Sequence, residues 1–165
     1  IQVYDQEEPL LLDRPPEVYQ NWMYCNSIHV IDYLKIFGRG EITQVVPIVK
    51  WTPKSPGFVV AKIEYSSGDL GIYTAVWNAP GPWAATVTTQ SKHWELRPLE
   101  NASVQPRGSR KLEPLPDHPW DRDFKPGLRI QAEEVLKALQ DTSHGLVSLD
   151  ESIETMQLVK DIYEV

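Results

Sequence analysis

Three side chains between Tyr24 and Gly38 have types and spacing that could do chemistry: Cys25, His29 and Asp32. Apolar residues run nearly all the way round this stretch at helical spacing, which predicts a helix over roughly 22 to 37, buried on most sides and stopped by Gly38. On such a helix Cys25, His29, Asp32 and Ile36 share one stripe, because positions three and four apart stack. An imidazole titrates near neutral pH and a neighbouring carboxylate can hold its ring nitrogen, so the pair suits general acid–base work. The same two groups also serve as a satisfied structural contact, the commoner use of a helical histidine. The residues alone leave both readings open. Cys25 lies one turn before His29, the spacing of a thiol–imidazole nucleophile with Asp32 as its orienting group. An inert, buried thiol is the stronger reading.

Other groups could bind rather than react. Lys125 and Arg129 flank a helix start, where basic groups can hold a carboxylate or phosphate; ordinary surface charges explain them equally well. Trp22 and Trp77 could stack on a sugar face, although a tryptophan on a sheet is more often core or interface. Asp117, Asp121 and Asp123 cluster as two-carboxylate hydrolysis would need, but acidic loop residues are usually solvated. The four histidines are scattered and there is one cysteine, so no metal-ligand spacing exists.

The elements around these residues read as α+β. A short edge strand near Ile1 to Tyr4 leads into a proline-rich loop, with a helical turn possible from Pro16. After Gly40 the period falls to two, predicting strands Ile42–Trp51, Phe58–Tyr65, Leu70–Trp77, Trp83–Thr89 and Lys92–Arg97. Ser66-Ser67-Gly68-Asp69 and Asn78-Ala79-Pro80-Gly81 form tight turns, which makes neighbours antiparallel. Val59, Ala61, Ile63 and Tyr65 oppose Phe58, Val60, Lys62 and Glu64, so both sheet faces carry apolar groups. Helices are expected on one face and a second copy or a neighbouring domain on the other, unless residues 99 to 123, read as an irregular loop, cover it. Helices follow over about 127 to 140 and from Ser148, where Glu151 completes a capping box. In the last one Leu149, Ile153, Met156, Val159 and Ile162 should face inward.

Composition excludes several classes. A net charge of −7, from 16 basic and 23 acidic side chains, argues against nucleic-acid or anionic-membrane surfaces. No apolar run reaches membrane-spanning length. One cysteine cannot form an internal disulfide, so a reducing, cytoplasmic setting is expected and the Asn101-Ala102-Ser103 sequon is coincidental. With 165 residues, one domain is expected over 1–165.

His29-x-x-Asp32 followed by an apolar turn and Gly38 resembles the first long helix of the C-terminal domain of the Gfo/Idh/MocA oxidoreductases. Phe124-Lys125-Pro126-Gly127, Arg129-Ile130-Gln131-Ala132-Glu133 and Ser148-Leu149-Asp150-Glu151-Ser152 resemble that family's closing segments, in the same order. The resemblance spans about residues 22 to 165. It implies an open, mostly antiparallel sheet with helices on one face and an oligomer on the other. It implies His29 as acid–base on a substrate hydroxyl, with Asp32 orienting it or binding substrate. Many members carry an aspartate where Cys25 stands here, which leaves Asn26 to take over part of the substrate contact. Trp22, Trp77, Lys125 and Arg129 complete the expected pocket.

The implied cofactor is NAD or NADP, bound by an N-terminal nucleotide-binding domain of the same protein. This chain should bind none alone: its nearest glycine motif, Gly38-Arg39-Gly40, follows a helix and lacks a third glycine. Ile1 rather than Met at the start fits the C-terminal part of a longer protein, inactive by itself. Sugars, nucleotide sugars or cyclitols are the implied substrates. The alternative is a non-catalytic binding or assembly module of the same fold.

Overall fold

The structure is a computed structural model that describes residues 1–9, 13–53, 57–140 and 143–165. Its strands are β1 (Gln2–Glu7), β2 (Ile42–Val49), β3 (Phe58–Tyr65), β4 (Leu70–Trp77), β5 (Ala84–Thr88), β6 (Lys92–Leu96), β7 (Ala102–Pro106) and β8 (Glu113–Pro114). They make one eight-stranded sheet ordered β2-β3-β4-β1-β5-β6-β7-β8. Only β1 and β4 run parallel; every other pair is antiparallel.

Two expectations are corrected here. β1 is not an edge strand but lies in the sheet's middle, between β4 and β5. No proline falls within Gln2–Glu7, so both sides of the strand can join a ladder. Residues 99 to 123 are not an irregular loop either, since β7 and β8 extend the sheet from β6. Their prolines fall where sheets tolerate them: Pro106 closes β7, and Pro114 sits in the terminal strand. That stretch therefore widens the sheet instead of covering it. β2, the other terminal strand, accommodates Pro47 beside a register shift.

The helices are α1 (Pro16–Gln20), α2 (Ile28–Phe37), α3 (Trp120–Asp123), α4 (Leu128–Leu139) and α5 (Leu149–Tyr163), with a π-helical turn (Met23–Ser27) leading into α2. The expected helix from 22 to 37 is present, its first turn being π rather than α. Val30, Ile31 and Leu34 of α2, with Leu158, Val159, Ile162 and Tyr163 of α5, pack against Val3, Val59, Ala61, Ile63, Tyr73 and Ala75. α2 ends at Gly38 for a steric reason: its φ is −73°, and a Cβ there would strike the Tyr65 ring. Tyr65 holds that position by donating to the Leu34 carbonyl at 2.8 Å.

α5 opens with the expected capping box. Ser148 Oγ accepts from the Glu151 amide at 3.2 Å, and Glu151 Oε2 accepts from the Ser148 amide at 2.7 Å. Its expected inner face is right only for the second half. Val159 and Ile162 are buried, whereas Leu149 and Ile153 are 76% and 54% exposed and Met156 is also exposed. Before Thr155 the helix touches α2, among the described residues, only through Lys35, which bonds the Glu151 carbonyl and Glu154, and its buried side chains begin at Thr155, so its first turns project past the core. On the other sheet face Phe58 and Leu70 are exposed, Val60, Ile72 and Val76 half-buried, and none of them is fully covered.

Candidate functional site

His29 lies on the exposed side of α2 and opens into a groove of about 700 Å³. Tyr33 continues the same wall one turn on, and Lys125, Gln131, Glu134 and Val147 form the facing one. The fold brings His29 and the Lys125-Pro126-Gly127 helix start to one groove from positions nearly a hundred residues apart. Among the described residues neither ring nitrogen of His29 has a hydrogen-bond partner, and the Lys125 ammonium has none either. An unpaired imidazole beside an unpaired ammonium can exchange a proton with a hydroxyl and hold an anionic or polar substituent. Glu134 is committed elsewhere: it pairs with Lys137 at 2.5 Å and accepts from the Gly145 amide. Those two contacts hold its carboxyl below the usual range, Lys137 first. They also close the groove's edge.

Asp32 is turned away from His29. Its Oδ1 accepts from Thr155 Oγ1 of α5 at 2.8 Å, and Lys35 reaches the same threonine at 3.3 Å and Glu154 at 2.9 Å. Asp32 therefore clasps α2 to α5. Burial, Glu100 and Asp32 push the Tyr33 phenol up, so it stays a neutral donor at the groove.

Trp22 and Asn26 come together, but on a partner the sequence reading missed. The Trp22 indole donates to Glu7 Oε2, Asn26 Nδ2 reaches the same oxygen at 3.1 Å, and Ser27 Oγ donates to Glu7 Oε1 at 2.7 Å. Glu7 is fully buried and Asp5, two residues earlier on the same strand face, is 1% exposed. Tyr73 donates to Asp5 Oδ2 and shares a 2.8 Å contact with Tyr163. Desolvation raises both carboxyls, Glu7 to about 8 with the Asp5 charge adding to it. One signal could have revealed them. Asp5 and Glu7 alternate with Val3, so a central β1 must bury all three on one face.

The remaining candidates lie apart. Trp77 is 4% exposed and packs against Trp51 and Tyr163, so it is core and not pocket. Arg129 stacks over Trp120 at 5.0 Å and Phe124 at 5.3 Å and pairs with Glu133, which anchors α3 to α4 outside the groove lining. Cys25, expected to be buried, is exposed on the π-helical turn. Asp121 accepts from the Gly127 amide at 2.8 Å and so shapes the groove's helix start. A wider space of about 880 Å³ beside Gly68–Leu70 and Val87–Ser91 contains none of the expected site residues.

A dinucleotide does not fit the one glycine motif present. Arg39 is bonded to Asp69 at 2.6 Å, Gly38 is pressed against Tyr65, and Gly40 has Ser66 beside it. Within this motif the Gly38 amide bonds the Leu34 carbonyl and the Arg39 amide bonds Asp69, so these two amides are not free for a pyrophosphate. Among the described residues no helix is long and apolar enough to cross a membrane.

The mixed sheet with α2 and α5 on one face is a fold found in solved oxidoreductases and dehydrogenases. The chain is similar to a UDP-N-acetylglucosamine 3-dehydrogenase from Acidithiobacillus ferrooxidans, with a TM-score of 0.75 at 11% identity, over 99% of this chain and 52% of that one. A dehydrogenase from Chromobacterium violaceum gives 0.73 at 19% identity, over 98% and 51%. Levoglucosan dehydrogenase, solved in complex with NADH, gives 0.72 at 15% identity, over 99% and 55%. The chain thus spans about half the length of these structures, and what they share at such identities is the fold. No family model and no curated protein matches the sequence.

Proposed function

We propose that this chain is the substrate-binding and oligomerisation domain of a longer NAD(P)-dependent oxidoreductase that acts on a hydroxyl of a sugar, nucleotide sugar or cyclitol. The observation that carries this reading is the His29 imidazole, without a hydrogen-bond partner among the described residues, at the wall of a groove large enough for such a molecule. His29 takes the hydroxyl proton as the alcohol is oxidised and returns it in the reverse direction. Lys125 and Tyr33 orient substituents of the same molecule from either wall. Asp32 keeps His29 in place through α5 instead of bonding it directly. Asn26 and Trp22, held on Glu7, fix the turn that leads into the His29 helix, and Arg129 supports the facing helix. The nicotinamide, which exchanges hydride with the substrate carbon, is held by a nucleotide-binding domain of the same protein. The outer sheet face takes a second copy, and the protein works in the cytoplasm, where Cys25 stays reduced.

A second reading, a binding or assembly module without chemistry, is favoured by one observation: Asp32 bonds Thr155 and leaves His29 without a carboxylate. The test is to supply the full-length protein with NAD or NADP and a panel of sugars, nucleotide sugars and cyclitols, following reduced cofactor by absorbance. Turnover on one of these classes supports the first reading. Cofactor binding with no turnover on any of them supports the second.

A further inference from the structure

Asp5 and Glu7 stand on one face of the central strand, both essentially inaccessible, and among the described residues no Lys, Arg or His pairs with either. Among the described residues the surrounding elements supply neutral groups: Tyr73 and Trp77 from β4, Tyr163 from α5, Ser27 and Asn26 from the π-helical turn, and Trp22 just before it. β5 carries no charged residue, and the charged groups of α2 are either exposed, as His29 is, or bonded to α5, as Asp32 and Lys35 are. Two uncompensated buried charges side by side would each cost several kcal/mol, far more than a domain tolerates. One oxygen shows how this is avoided. Among the described residues Asp5 Oδ1 is buried with no donor, while Trp22, Asn26 and Ser27 all bond Glu7. The two carboxyls lie within hydrogen-bonding reach of each other, so a proton on Glu7 can be donated to Asp5. Among the described residues no group of three or more His, Cys, Asp or Glu is gathered to hold a metal ion.

We infer that Asp5 and Glu7 share a single proton, and that Glu7 in this neutral form is the positioning residue of the turn that carries Trp22, Asn26 and Ser27 into the His29 helix. Neutral, Glu7 donates to Asp5 and accepts from the three side chains of the turn. When it ionises, Asp5 and Glu7 repel, and the turn that fixes the start of α2 is displaced. The site-level consequence rests on the oxidoreductase reading. The proton sharing does not, and it can be measured on the 165-residue chain without cofactor or substrate.

The experiment is an NMR pH titration that follows Glu7 and Asp5 carboxyl carbons, the Trp22 indole N–H and the Asn26 side-chain amide. The expected result is one shared midpoint near 8 for Glu7 and for both reporters of the turn. Glu7→Gln, which keeps an acceptor for the turn and a donor for Asp5, should retain the fold and abolish that transition. Asp5→Asn removes the neighbouring charge and should lower the Glu7 midpoint. Ionisation of both carboxyls in the ordinary range near 4 overturns the proposal, as does a Glu7 transition that the Trp22 and Asn26 signals ignore. Should either variant fail to fold, the wild-type titration decides alone. Failure of this titration leaves the His29 reading standing, and failure of the His29 reading leaves the shared proton standing.

Discussion

Glu7 gives the folded chain a pH dependence of its own. Its folded value is about 8 against an ordinary 4.5, so between those limits the native state holds a proton that the unfolded state has lost. Stability is therefore full below the ordinary carboxylate range, declines as pH rises by about 1.4 kcal/mol per unit for one proton, and levels off above the folded value. The lowered carboxyls Asp69, Glu134 and Glu151 titrate below this window, so they do not mask it. Urea unfolding midpoints taken from about pH 5 to 9 should fall in the wild type and stay nearly level in Glu7→Gln. His29 and Lys125 were legible as residues because their types stand out at positions that chemistry uses. Asp5 and Glu7 were not: two acids near a chain start look solvated until the strand that carries them is known to be central.

Elements were legible where their signals are local. The capping box at Ser148 and Glu151 is written in four consecutive positions, and α5 begins there as expected. Ser148→Ala should cost about 1 kcal/mol, read as a lower unfolding midpoint with unchanged helical signal at low denaturant. α2 was equally plain, since Val30, Ile31 and Leu34 follow a 3.6-residue period. Its π-helical first turn was not, because the extra residue is stabilised by Glu7, a partner some 20 positions away. β7 and β8 were missed for a related reason. Proline density reads as loop, and only the ladder with β6 shows that those prolines sit at a strand's end and on the sheet's outermost strand. The exposed first turns of α5 show the limit of periodicity, which predicts an apolar face but not whether anything lies opposite it.

At the scale of the molecule, the sheet's middle could not be read, because β1 joins partners about 70 and 80 residues later in the chain. The two-faced sheet could. Its inner face is covered by α2 and α5 over β1, β3, β4 and β5, while Phe58, Leu70, Val60 and Ile72 leave the outer one only half protected. If that face takes a second copy, sizing and light scattering should return a dimer. Ile72→Lys, which places a charge at the centre of the face, should then yield a monomer with an unchanged circular dichroism spectrum. The groove makes the sharper claim, since it joins α2 to the start of α4 and leaves one imidazole free between them. The decisive measurement is steady-state turnover of the full-length protein with His29→Ala, alongside its cofactor affinity. Loss of general acid–base catalysis predicts a fall in kcat of about 100- to 10,000-fold with the cofactor Kd unchanged. A kcat within about twofold of wild type would contradict the assignment of His29 to the chemistry.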